Sequence, residues 1–163
     1  MKTVNFQKNQ GFGLIEIIIT ATIIVISFTA FLSFILFSRN ATLRVQRNTE
    51  AVSSAEESIE VVRKLKDDGW TANIVPLVAG TTYYPKLTGN TWTLVTTNPS
   101  PTSYYTPTLV FSSVSRDSNS IIVPSGGVTA EPNMRKVVAP VTWNDSGTKN
   151  VQLTTYIANL KNN

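Results

Sequence analysis

Phe12-Gly13-Leu14-Ile15-Glu16-Ile17-Ile18-Ile19-Thr20 opens a stretch that stays almost wholly apolar as far as Phe37. The 26 residues from Phe12 to Phe37 carry one charge, on Glu16. The 22 uncharged positions from Ile17 to Ser38 contain neither Gly nor Pro. A helix rising 1.5 Å per residue crosses a bilayer with about 20 apolar residues, so residues 12–38 are expected to be the membrane-spanning half of a helix. A carboxylate inside such a segment costs roughly 2.5–3.5 kcal/mol at mid-membrane and less near an edge. Glu16 therefore needs a function, and a positive partner to go with it.

The residues upstream supply a candidate for that partner. Gly11 precedes Phe12, with Lys2 and Lys8 further back. A cut between Gly11 and Phe12 would create a new α-amine four residues before Glu16. In a secretory signal the cut follows the apolar segment; here it would come first and leave the anchor on the protein. The stretch Gln10-Gly11-Phe12-Gly13-Leu14-Ile15-Glu16 resembles the cleavage motif of type IV pilins and pseudopilins. The likeness covers a leader at residues 1–11, the cut, the acid and the apolar helix. Gly13 stands where the family more often has Thr or Ser, and no proline interrupts the helix near Ser33.

That resemblance carries a set of expectations. A prepilin peptidase would cut at Gly11/Phe12, the new N-terminus at Phe12 would be N-methylated, and Glu16 would be an assembly contact. In a stack of parallel helices, one subunit's ammonium on Phe12 meets a neighbour's Glu16 at low dielectric, where pairing is strong and an unpaired charge is costly. The partners implied are other pilin subunits, the peptidase, an inner-membrane assembly platform, and membrane lipid before assembly. The protein would cross the cytoplasmic (inner) membrane once and then enter an extracellular or periplasmic fibre. That fibre is a type IV pilus, a type II secretion pseudopilus or a DNA-uptake pseudopilus. The resemblance, and not charge, sets the orientation, because Lys2 and Lys8 on one side face Arg39, Arg44 and Arg47 on the other.

Composition narrows the remaining chemistry. The 163 residues include no Cys and no His, so disulfides, thiolate metal sites and the commonest general base are excluded. No cofactor or metal site is expected. The net charge is +4, and loss of Lys2 and Lys8 would leave +2, too mild to demand a nucleic-acid partner. Ser and Thr are abundant, but without His no familiar hydrolase triad can be assembled. A Ser–Lys pair stays open, with no motif pointing to one. The chain is read as a non-enzyme.

From Arg39 to Lys66 polarity rises, again without Gly or Pro. Val45, Val52, Ala55, Ile59, Val62 and Leu65 recur at spacings of 7, 3, 4, 3 and 3, an apolar stripe on a helix. The transmembrane helix is thus expected to continue without a break as an amphipathic half over residues 39–69, capped at Gly69. From Phe12 to Asp68 is 57 residues, about 85 Å of helix. Residues 70–163 form the head. Their composition turns to Thr, Ser, Asn, Val and Tyr, and all eight prolines lie at Pro76 or later. Strands are expected at 91–96, 108–115, 135–143 and 151–157, with a short one at 121–123. Pro140 marks an edge or bulge, and Asn144-Asp145-Ser146-Gly147 a hairpin turn. Residues 70–90, 97–107 and most of 116–134 read as loops. The stretches Ala55–Arg63 and Val141–Tyr156 are similar to the helix end and closing hairpin of small bacterial minor pilins. The fold expected is α+β and pilin-like: a long N-terminal helix packed on a small antiparallel sheet.

In the head, Trp70, Trp92 and Trp143 invite a sugar or base platform, but core and loop packing accounts for them more simply. Tyr83-Tyr84 and Tyr104-Tyr105 fall in expected loops. Arg135-Lys136 with Lys149 forms a modest basic cluster, either a solvated strand face or a DNA contact. It motivates the alternative reading of a DNA- or surface-binding pilin in an uptake or adhesion system. Asp67-Asp68 and Asp117 with Asn119 lack the density of a calcium loop.

Overall fold

The computed structural model describes residues 13–123 and 126–160. The fold is α+β: one long N-terminal apolar helix and an antiparallel sheet. The chain divides into two compact units, residues 1–45 and 46–163.

Helix α1 runs Leu14–Asp68, 55 residues without interruption. This is the continuity expected from a segment that lacks Gly and Pro. Among the described residues it is the one helix long and apolar enough to cross a membrane, and none of its most apolar window is buried. Thr20, Thr22, Thr29 and Ser33 each donate a hydroxyl to the carbonyl four residues back, at 2.7–2.9 Å. Their polarity is thereby satisfied inside the helix, which is what an apolar solvent requires of it.

The helix stops at Gly69, whose φ of 154° suits a residue without Cβ. Asn73 Nδ2 then donates to the Leu65 carbonyl at 3.0 Å, satisfying one of the last-turn acceptors. Asn73 closes a short helix α2, Trp70–Asn73, where a loop was expected.

The head sheet has β1 Thr82–Thr88, β2 Thr91–Val95, β3 Thr106–Pro107, β4 Leu109–Arg116, β5 Ile122–Val123, β6 Thr129–Asn144 and β7 Thr148–Ala158. Its order is β2-β1-β4-β6-β3, with β5 on β4 and β7 on β6, all antiparallel. Strands β3 and β4 are consecutive pieces along the same side of β6.

Three expectations about the head need correction. Residues 82–88 are a strand, not a loop. The two-residue Gly89-Asn90 connection, with Gly89 at φ 60°, closes the β1–β2 hairpin at Thr88↔Thr91. Pro85 is tolerated because it sits where β1 pairs on one side only. Strand β6 begins at Thr129, well before Arg135. Its early residues pair with Ser115 and Arg116 beyond a register shift at Ser113/Ser115. Pro140 lies at neither an edge nor a bulge of β6. It is opposite Thr108, between β3 and β4, and its carbonyl accepts the Thr108 N–H at 2.9 Å. The Asn144–Gly147 turn forms as expected, with Gly147 N–H donating to Asn144 Oδ1 at 3.2 Å.

The core lies between the second half of α1 and one sheet face. Alternate β6 residues Val137, Ala139, Val141 and Trp143 are buried, beside Leu109, Phe111 and Tyr83. Tyr83 meets Phe111 edge to face at 5.9 Å between ring centres. The helix contributes Ala51, Ala55, Ser58, Ile59, Val61, Val62 and Leu65. Ala55, Ile59, Val62 and Leu65 belong to the expected stripe; Val52 is only half-buried and Val45 is 65% exposed. The helix face therefore starts at Ala51, later than the stripe implied. Its small members, Ala51, Ala55 and Ser58, allow close approach to the sheet. Ser58 is admitted to the core because its hydroxyl bonds the Ser54 carbonyl at 2.9 Å.

A fragment of residues 39–163 should therefore be soluble and unfold cooperatively, whereas 69–163 should aggregate. The shorter fragment loses all seven buried helix residues and uncovers Val137, Val141 and Phe111. Solubility and thermal unfolding followed by circular dichroism check this. A soluble, cooperative 69–163 would mean that the helix is dispensable to the head.

Candidate functional site

Gly11 and Phe12 lie outside the described residues. Glu16 sits in the first turn of α1, and its Oε2 accepts the Gly13 N–H at 3.0 Å. The acid thus caps its own helix and complements the positive end of the dipole. Around it Leu14, Ile15, Ile17 and Ile18 are all more than half exposed. The acid is therefore anchored by a local bond within an apolar surface that none of the described residues covers.

A second constellation joins the helix to the head, inside the unit 46–163. Arg47 forms an ion pair with Asp145 of the β6–β7 turn. Tyr105, just before β3, donates its hydroxyl to Glu50 Oε2 at 2.7 Å and lies 3.3 Å from the Arg47 carbonyl. The Tyr105 ring stacks edge-on to Tyr104 at 4.9 Å and tilts against Trp143 at 6.0 Å. Gln46 also donates to Glu50, at 2.9 Å. The bond to Tyr105, then that to Gln46, lowers the Glu50 pKa from its ordinary value. Burial, with the bond to Glu50, pushes the Tyr105 hydroxyl up to about 12. The bond to Asp145 holds Arg47 protonated still more firmly. This latch fixes where the head first grips the helix. Little in the linear chain signals it, because its partners are up to 98 positions apart; the one available signal is a Tyr-Tyr pair in an otherwise polar loop.

The remaining candidates fall apart on inspection. Trp70 and Trp143 are core residues, and Trp92 packs half-buried against the core. Trp92 also lines an open cleft of about 460 Å³ with Glu57, Glu60, Val61, Lys64 and Asp68. Two nearby acids are already paired: Glu60 with Arg63 at 2.8 Å and Asp67 with Lys66 at 3.2 Å. The expected basic cluster does not form. Arg135 and Lys136 are neighbours on β6 and so point to opposite faces, and Lys149 pairs with Trp143 at the far end of the strand. Asp117 is spent on its own turn, accepting N–H groups of Asn119 and Ile121 at 2.9 Å. Among the described residues no group of three potential metal ligands comes together.

Comparison of the chain with protein-family models, with curated proteins and with solved structures gives no match in any of the three.

The latch makes a spectroscopic prediction. Tyr105 should ionise late, towards 12, beyond the ordinary tyrosine value of about 10. A tyrosine whose folded pKa is raised stabilises the fold fully below its unfolded pKa. That contribution is lost as pH climbs between about 10 and 12. Glu50, lowered when folded, acts in the opposite sense: its contribution is present above its ordinary pKa and lost as pH falls below it. Absorbance titration of fragment 39–163 at 295 nm should show a late tyrosinate step that Tyr105→Phe removes. Absence of that late step from the wild type would mean that the latch is open in solution.

Proposed function

We propose that this chain is a structural subunit of the type IV pilin and pseudopilin kind, most like a minor pilin. In this reading it is cut at Gly11/Phe12 and assembled through its N-terminal helix into a fibre. One observation carries the proposal. A single unbroken helix has a first half that none of the described residues covers, with one acid in register with Gly11, while its second half supplies part of the core of a small sheet domain. A plain anchor needs neither the acid nor the continuity. The helix first lies in the cytoplasmic membrane, where lipid covers the apolar half. In the fibre, neighbouring helices replace the lipid, and the Phe12 ammonium of one subunit pairs with Glu16 of another. The bond from Gly13 to Glu16 supports this, because it holds the carboxylate within one turn of the new N-terminus. The dispersal of Arg135, Lys136 and Lys149 gives a DNA-gripping head no comparable support.

Processing is tested by Gly11→Val, which should block cleavage because a site that closely approaches the backbone has no room for a branched side chain. The readout is the mass of the membrane-bound chain beside a peptidase-null strain; equal masses in wild type and null would overturn the leader reading. Assembly is tested by Glu16→Leu. A simple anchor should insert as well or better without the charge. A fibre subunit should insert and be cleaved, yet stay out of the fibre, since each unpaired ammonium at low dielectric costs about 3–5 kcal/mol. Glu16→Gln should fall between, as an amide accepts a hydrogen bond without neutralising the ammonium. The measurement is tagged subunit in sheared fibres relative to membranes. A wild-type ratio for Glu16→Leu would remove the physical basis of the proposal.

A further inference from the structure

Strand β7 is an edge of the sheet. Among the described residues it pairs with β6 and with no other strand. Two bonds on β6 fix which amides of β7 are left free. The Pro140 carbonyl accepts the Thr108 N–H, on the side of β3 and β4. Along an antiparallel strand the N–H and C=O of successive residues turn to opposite sides. Even-numbered residues of β6 therefore bond towards β4, and odd-numbered ones towards β7. The bond from the Asn159 N–H to the Asn133 carbonyl agrees. In the unbroken register that sets Ala139 opposite Leu153, the odd residues of β7 are the ones bonded to β6. The amides of Thr148, Asn150, Gln152, Thr154, Tyr156 and Ala158 face outward.

Proteins usually blunt such an edge with charge, proline or a bulge, or keep it short. Strand β7 has eleven residues, no proline, and no register shift against β6. Its one charge, Lys149, stands near one end and leaves Asn150–Ala158 uncharged. The opposite edge strand, β2, has five residues. The two faces of β7 also differ. Asn150, Gln152, Thr154 and Tyr156 are exposed, whereas Val151, Leu153 and Thr155 are half-buried and Ile157 is buried on the core side. A strand that extends the sheet here has to carry the same period of two, polar on one face and apolar on the other.

We infer that the strand covering this edge is β7 of a second copy, running antiparallel about a two-fold axis at Leu153. Leu153 is the midpoint of Thr148–Ala158, so this register overlaps the whole strand. Every outward amide then meets another: Thr148 lies opposite Ala158, Asn150 opposite Tyr156, and Gln152 opposite Thr154 of the other copy. Any other centre leaves amides at the strand ends without a partner. Residues directly opposite share a face, so polar side chains meet polar ones, Val151 meets Thr155 and Leu153 meets its own copy. Lys149 falls opposite Ile157, and no like charges oppose. The axis is perpendicular to the sheet, which keeps the two cores on one side of the joined sheet. The same patch serves both copies, and such an isologous contact closes at two. It does not depend on the fibre reading, which concerns the N-terminal helix.

The chain has no cysteine, so Gln152→Cys and Thr154→Cys can be placed singly, at exposed sites, in differently tagged full-length copies. The two are co-expressed and the membranes treated with a mild oxidant. Residues opposite each other in a bonded pair lie about 5.5 Å apart between Cα atoms, within the disulfide range of about 4.4–6.8 Å. Each cysteine and its own copy lie on the diagonal, roughly 7–8 Å apart, so the mixed dimer should exceed either single-copy dimer roughly fivefold or more. Asn150→Pro in both copies removes an outward N–H and no bond to β6. It should leave thermal unfolding of the head by circular dichroism in place and cut the mixed dimer to the single-copy level. A mixed dimer no more abundant than the single-copy ones, or one that Asn150→Pro leaves untouched, would overturn the inference. So would wild-type chain whose Gln152 and Thr154 amides resist hydrogen exchange while the cysteine copies fail to crosslink, since another segment would then occupy the edge.

Discussion

Helix α1 carries two unlike side-chain surfaces on one backbone. From Ile17 to Phe37 its large apolar side chains are uncovered, most of them more than half exposed, while from Ala51 to Leu65 seven residues are buried against the sheet. The backbone hydrogen bonds run through both regions, so neither medium has to satisfy peptide groups. Only the side chains change. Below, threonines and a serine fold their hydroxyls back onto the helix; above, small residues let the sheet approach. The head depends on this division, because the buried residues of α1, with Trp70 and Ile74 just after it, pack in one core with its apolar strand face.

The sheet is built to match. Strand β6 is long enough to pair with β4 and β3 on one side and with all of β7 on the other. Its odd-numbered residues from Val137 to Trp143 make one continuous apolar line. Phe111, fully buried, contributes about 1.5–3 kcal/mol by removal from water, and Tyr83 meets it edge to face. The polar latch of Arg47, Glu50, Tyr105 and Asp145 stands at the end of this line. Hydrogen bonds there are directional, so the latch fixes the helix in place along the sheet where apolar contact alone would allow sliding.

How much of this was legible in the sequence follows from the range of the interactions. The helix was readable because its cause is local: no Gly or Pro from Leu14 to Asp68 and a glycine directly after. The β6–β7 hairpin was readable for the same reason, through Asn144-Asp145-Ser146-Gly147. Strand β1 lies in a stretch expected to be a loop, and the one-sided pairing of the strand at Pro85 explains how a proline is tolerated there. The stripe was placed too early because Val45 is apolar but lies before the sheet begins to cover the helix at Ala51. The basic cluster failed through strand parity: adjacent residues on a strand cannot share a face, whatever their charge. Glu16 was legible as an anomaly of composition. Its bond to Gly13 is a local consequence of its place three residues on.

The two halves of α1 also differ in how their contacts can be satisfied. The upper half is complete within one chain: its apolar face has the sheet, and Arg47 and Glu50 have the latch. The lower half is incomplete by construction, since Leu14, Phe28, Phe34 and Phe37 are each more than 60% exposed. Lipid covers such a surface without regard to sequence, and helix–helix contact within a membrane gains little from apolar area alone. Specific association therefore has to come from the few polar or charged groups that lipid serves badly. On this helix those are Glu16 at one end and Arg39 at the other. Charge kept to the two margins of an otherwise uniform apolar segment leaves the surface between them with none that an apolar medium would have to hold.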